Sequence, residues 1–145
     1  MKDHWFKKAG VTLKDWGFNL ADQRGPDAEH FGNWVLVGHR DNVALRVFCD
    51  RDQIGLDLMP IALFRSGADE SNWFTWDVVV RALGIPTKAA IEPLTHFHEY
   101  LEGIDRAFAP ENWERTRERL AQVEQEKRRR FTEGHREERR VPAHA

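Results

Sequence analysis

The clearest pattern in the chain is an alternation of apolar and polar residues between positions 13 and 60. Side chains that alternate with a period of two lie on opposite faces of a strand. The connections between the later segments are short and rich in turn-forming residues, as in Arg40-Asp41-Asn42 and Arg51-Asp52, so neighbouring strands must run antiparallel. The pattern predicts a four-stranded meander with one face against a core. Its strands are predicted at residues 16–21, 34–37, 43–50 and 54–59.

Beyond Pro60 the apolar period changes from two to that of a helix. A short helix is predicted after an N-cap at Thr75, and two longer ones begin at Pro93 and Pro110, where proline suits the first helical turn. A further helical turn or two precede the sheet and end at Gly10. The predicted fold class is therefore α+β: an antiparallel four-stranded meander followed by helices packed against one sheet face.

The apolar content of 41% and the charged content of 32% are typical of a globular chain. Residues 1–131 are predicted to form a single α+β domain, and their length suits one core. Residues 132–145 are rich in charged residues and lack apolar residues with helical spacing, so this segment is predicted to be a disordered charged tail.

Charge and cysteine content narrow the expected partners and compartment. The single Cys49 excludes an internal disulfide, and its predicted place on the apolar strand face favours a buried thiol. The net charge is −2, with −4 over residues 1–109 and +2 over residues 110–145, so neither part has the basic excess of a nucleic-acid binder. The sequence shows no secretion signal and no apolar run long enough to cross a membrane. These features predict a cytoplasmic protein with neither a nucleic-acid nor a membrane partner.

Candidate chemistry is sparse. No glycine-rich phosphate loop, nucleophile elbow or zinc-protease motif is present, so neither a catalytic residue nor a cofactor is predicted. Glu92, His96 and Glu99 are spaced to share one helix face and match the ligand count of a catalytic zinc. A solvated helix face explains the same spacing, and we predict no metal.

The strongest candidate for binding is an acidic stretch that ends in aromatic residues. Acidic side chains here suit basic groups on a partner protein, and tryptophan is enriched at binding hot spots. A solvated sheet face, a core position for the tryptophan and a paired-carboxylate hydrolase site are the alternatives. The predicted partner-binding residues are Asp50, Asp52, Asp57, Asp69, Glu70, Trp73 and Asp77.

Four segments taken together resemble the immunity proteins of bacterial polymorphic toxin systems. They are FGNWVLVGHRDNVALRVFCDRDQIGLDLMP, WFTWDVVVRALG, LTHFHEYLEGIDRAF and ENWERTRERLAQVEQEKRRRF, within residues 31–131. The resemblance implies a cytosolic inhibitor that binds one toxin tightly and performs no chemistry. Two other functions stay open on the sequence: a small hydrolase or metal-dependent enzyme, and an adaptor for a housekeeping protein.

Overall fold

The computed structural model describes residues 2–26, 32–67 and 72–140. In this part of the chain, five antiparallel strands form one open sheet, and five α-helices and a 3-10 turn accompany it. The elements in chain order are α1 (Lys2–Asp15), β1 (Asn19–Arg24), β2 (Trp34–Arg40), β3 (Val43–Asp50), β4 (Gln53–Pro60), α2 (Ile61–Arg65), β5 (Phe74–Thr75), α3 (Trp76–Ala82), the 3-10 turn (Thr87–Ala90), α4 (Pro93–Phe108) and α5 (Pro110–Arg140).

The sheet order β1-β2-β3-β4-β5 follows the chain, which confirms the predicted meander. Two-residue turns join β2 to β3 and β3 to β4. In the second turn, Arg51 and Asp52 have φ angles of 52° and 66°. Positive φ at both central residues matches the right-handed twist of a tight hairpin, so these turns fix which residues lie opposite each other.

The sheet differs from the prediction by a fifth strand, β5, which pairs with β4 at Asp57 and Leu58. Thr75 does precede α3 as its N-cap residue, although its side chain makes no capping hydrogen bond. A two-residue strand is too short to show a period in the sequence, so alternation could not have revealed β5.

The first helix is longer than predicted and displaces the first strand. α1 runs through Gly10 to Asp15, and β1 begins only at Asn19. Glycine inside a helix costs about 1 kcal/mol relative to alanine, and burial of Ala9 and Leu13 on either side of it offsets that cost. Gly17 ends the helix instead, with a φ angle of 84°. The Gly17 N–H donates to Lys14 and the next N–H to Leu13, which is the Schellman pattern.

The core lies between one face of the sheet and a helical layer. α1, α3 and α4 contact the strands, and α5 packs on α3 and α4. Phe97 of α4 is fully buried, and its ring meets those of Trp16, Phe18 and Trp76 at centroid distances of 5.5 to 6.1 Å. As the alternation predicts, one face of β3 and β4 lies against this core, with Ile54 only partly buried at the edge. Its side chains are those of Val43, Leu45, Val47, Ile54, Leu56 and Leu58.

Helix α2 is an exception to the prediction that the helices cover one face. It contacts β3 and β4, and the ring of its Phe64 lies 6.1 Å from that of His39. His39 alternates with the core positions of β2, so α2 lies against the opposite side of the sheet. We call that opposite side the outer face.

The last helix continues beyond the predicted start of the tail. α5 extends through residues 132–140 as a helix, and residues 141–145 lie outside the described residues. Leu120 is fully buried, whereas Phe131, three turns further along the helix, is 69% exposed. Residues 128–134 of α5 are exposed, and charged pairs such as Glu124–Arg128 support the helix locally. No helix of the described residues is long and apolar enough to cross a membrane.

Two buried tryptophans differ in the state of their indole N–H groups. Trp76 donates from Nε1 to the carbonyl of Ala89 at 2.7 Å. Trp34 is also buried, and its Nε1 has no hydrogen-bond partner within the described part of the chain. A buried donor without a partner costs roughly 1–3 kcal/mol, so these two residues should respond differently to the same substitution.

We expect Trp76→Phe to destabilise the protein by about 1 kcal/mol or more beyond Trp34→Phe. Both substitutions remove the same volume, but only the first leaves a buried carbonyl without its donor. Urea unfolding of the two variants and the parent protein measures the difference. Equal losses would show that the indole hydrogen bond of Trp76 contributes nothing.

Candidate protein-binding surface

An ion pair occupies the centre of the outer face. Arg46 of β3 and Asp57 of β4 lie directly opposite each other in the sheet register. The guanidinium donates from Nη2 and Nε to the same carboxylate oxygen, Oδ2, at 2.6 and 3.1 Å. Asp57 is 5% exposed. Charge-assisted hydrogen bonds of this length are among the strongest in proteins, so the pair holds both side chains flat on the sheet.

Trp73 covers this ion pair. The guanidinium carbon of Arg46 lies 4.8 Å from the Trp73 ring centroid, and the ring of Phe64 meets Trp73 edge to face at 6.2 Å. Trp73 and Phe64 are both half-buried. A cation held over an aromatic ring is attracted by the ring quadrupole, so Arg46 fixes the tryptophan while leaving part of its surface accessible. We call Arg46, Asp57, Phe64 and Trp73 the outer-face cluster.

Phe48 extends the aromatic surface toward the β3–β4 turn. It lies opposite Gly55, and a Cβ atom added at Gly55 would force the end of the Phe48 ring to move. The ring therefore lies across the strand that faces it. Because Phe48 is only partly buried, it adds apolar surface next to the outer-face cluster.

The structure separates the two other acidic residues of the hairpin from this cluster. Asp50 is exposed at the end of β3 and accepts a hydrogen bond from Nδ2 of Asn33 at 3.3 Å. The same Asn33 accepts the backbone N–H of Arg51, so its amide braces the turn. Asp52 instead lines a cleft at the end of the sheet.

Asp77 lies beyond the sheet edge and faces α5. Its carboxylate accepts hydrogen bonds from Thr75 at 2.6 Å and from Nζ of Lys127 at 3.1 Å. Burial raises the pKa of Asp77, but these two hydrogen bonds and the positive charge of Lys127 outweigh it and hold the pKa below its usual range. The carboxylate of Asp77 therefore links α3 to α5. The other two predicted residues, Asp69 and Glu70, lie outside the described residues.

Glu92, His96 and Glu99, whose spacing was compared with that of zinc ligands although no metal was predicted, do not share a helix face. Glu92 precedes α4 with a left-handed φ of 59°, whereas His96 and Glu99 lie within the helix. His96 Nδ1 is 3.8 Å from a carboxylate oxygen of Glu99. Over the described residues, no three His, Cys, Asp or Glu side chains come together in a way that could hold a metal ion.

Sequence reasoning missed Arg46 and Phe64, the two residues that hold Trp73. The signal for Arg46 was present: a two-residue turn at Arg51 and Asp52 places residue 46 opposite residue 57. It also missed an acidic cleft of about 380 Å³ at the other end of the sheet, between α4 and the β2–β3 turn. Its lining includes Arg40, Asp41, His98, Glu99, Glu102 and Asp105.

Comparisons of the chain with protein families, with curated proteins and with solved structures find no match.

We expect Asp57→Leu to destabilise the protein by about 3 kcal/mol, because Arg46 would lose its carboxylate in a largely buried place. Arg46→Met combined with Asp57→Leu should recover most of that loss, since apolar residues of similar size can replace such a pair. A double-mutant cycle measured by urea unfolding tests this. Additive effects of the two single substitutions would contradict a coupled pair.

The contact between Asp77 and α5 should appear in the pH dependence of stability. A folded pKa below the unfolded value of 3.8 stabilises the fold above that value, and the contribution is lost as pH falls through the folded pKa. Lys127→Met should therefore lower stability by less than about 1 kcal/mol at pH 7, because the pair is exposed, and have less effect below about pH 4. Arg129→Met, exposed on the same helix, is the control. A loss that does not change with pH would argue against the pair.

Proposed function

We propose that the protein is a non-catalytic binding protein of the immunity type, which neutralises a partner toxin in the cytoplasm by covering it. The observation that carries the proposal is the outer-face cluster: a half-exposed tryptophan held over a paired arginine on the sheet face opposite the main helical layer. Tryptophan and arginine are the residues most enriched at the energetic centres of protein interfaces.

The cluster also suits binding because it is already ordered. Association costs free energy when rotamer-rich side chains become fixed at an interface. Arg46 is held by two hydrogen bonds to Asp57, and Trp73 is held between Arg46 and Phe64. A partner that contacts this surface would lose little side-chain entropy here, which favours tight binding.

The surrounding surface has the composition of an interface. Phe48 adds half-buried apolar area on one side, and the exposed Asp50 adds a polar rim toward the turn. A stable complex buries on the order of 800 Å² on each partner. A surface of that size centred on Trp73 would include these residues, and the acidic Asp69 and Glu70, which precede Trp73 closely in sequence, remain predicted contributors.

The test is co-expression with the product of the neighbouring gene, followed by measurements of growth and of binding. We expect growth to be restored by the parent protein and a stable complex to form. Trp73→Ala should speed dissociation and cost at least about 2 kcal/mol of binding free energy, because the ring is the central anchor. Val11→Ala is the control, since Val11 is 60% exposed on α1 of the helical layer.

Circular dichroism of both variants checks that they remain folded. The inhibitor function should be abandoned if the neighbouring product is harmless, or if the protein neither binds it nor restores growth. If binding survives Trp73→Ala but is lost when residues of the helical layer are substituted, the inhibitor function would stand, but the outer face would not be the binding surface. Binding without any effect on growth would favour an adaptor instead.

A further inference from the structure

Near the β3–β4 turn, one edge of β4 pairs with no strand of the described residues. Pairing with β5 involves only Asp57 and Leu58, so within the described ranges no strand pairs with β4 on that side from Gln53 to Leu56. An uncovered strand edge can accept a further strand through main-chain hydrogen bonds.

The register shows which main-chain groups face this open edge. Asp50 and Gln53 close the two-residue turn and exchange the ladder hydrogen bonds. The N–H and C=O of the next residue, Ile54, therefore point away from β3. Ile54 offers one donor and one acceptor to an added strand.

A cleft of about 910 Å³ adjoins the same residue. Its walls come from α1, the β3–β4 turn and the start of α4, and Ile54 itself lines it. The apolar lining includes Trp5, Ala90 and Leu94. A strand added at Ile54 would direct alternate side chains to one side, where this cleft could receive one of them.

Exposed apolar residues lie at this cleft. Trp5 is 43% exposed and Ile91, between two lining residues in sequence, is 71% exposed. They are two of the four large apolar side chains exposed in the described part of the protein. Exposed apolar surface beside a groove marks an interaction site more often than isolated exposed residues do.

Charge indicates what the cleft would accept. Over the described residues, the charged side chains that line it are both carboxylates, Asp52 on the turn and Glu92 before α4. Lys8 lies 4.8 Å from the ring centroid of Trp5, so that ring already attracts one cation. On an extended segment, a basic side chain two positions from an apolar one would lie on the same side of the strand and would complement this lining.

We propose that the open edge at Ile54 binds an extended segment of a partner protein as an added strand. An apolar side chain of the segment enters the cleft between Trp5 and Leu94, and a lysine or arginine two positions away, on the same side of the added strand, lies toward the carboxylates of Asp52 and Glu92. This site is separate from the outer-face cluster, and the inference holds whether or not the partner is a toxin.

The test uses a random heptapeptide library displayed on phage and selected against the full chain. We expect enriched peptides to carry an apolar residue with lysine or arginine two positions away, because these two side chains share one side of a strand. On addition of a synthetic selected peptide, the Ile54 amide should shift in a nitrogen–proton correlation spectrum and exchange its hydrogen more slowly. Absence of enrichment, or shifts centred on Trp73, would overturn the proposal.

Matched variants locate the binding. Trp5→Ala should lower the affinity for the selected peptide by about tenfold or more, as expected for an aromatic anchor. Val11→Ala on the same helix should leave that affinity unchanged. Glu92→Gln should weaken binding severalfold and reduce its salt dependence, which keeps the test decisive if Trp5→Ala lowers stability. Trp73→Ala should have no effect; peptide binding that depends on Trp73 and not on Trp5 would refute this site.

Discussion

The register of β3 against β4 is the constraint on which most of this molecule depends. The two-residue turn at Arg51 and Asp52 has positive φ at both positions, and it fixes every cross-strand neighbour along eight pairs. It places Arg46 opposite Asp57 and Phe48 opposite Gly55 on the outer face. A shift by one residue would exchange the two faces, burying charge in the core and exposing the apolar positions. The turn therefore sets the core and the candidate binding surface together.

The same register explains how much the sequence could predict. Alternation over residues 43–59 gave the strand faces and the core correctly, because one side of each strand is consistently apolar. β5 and the full length of α1 were missed for different reasons. β5 has two residues and no detectable period, and α1 contains Gly10, whose low helix propensity is overridden by burial of Ala9 and Leu13.

The candidate site was predictable only in part. Trp73 and the carboxylates were visible as residue types, but their environments depend on tertiary contacts. Asp57 is paired with Arg46, and Asp77 is paired with Lys127, fifty positions away. An acidic cluster in the sequence thus becomes a set of paired and dispersed charges in the fold. Counting acidic residues along a short stretch of sequence overestimates the negative charge of the surface wherever the compensating cation comes from a distant element.

The contact between Phe48 and Gly55 has a consequence for recognising relatives of this chain. A side chain at position 55 would have to displace the ring at position 48, so the two positions constrain each other across the hairpin. Positions 46 and 57 are constrained in the same way by charge. Both pairs are centred on the same two turn residues. The pattern is therefore an arginine and an aromatic residue before the turn, followed after the turn by a glycine and an aspartate at the matching positions. Divergent chains that keep this symmetric pattern should keep the register of this hairpin even where overall identity has been lost.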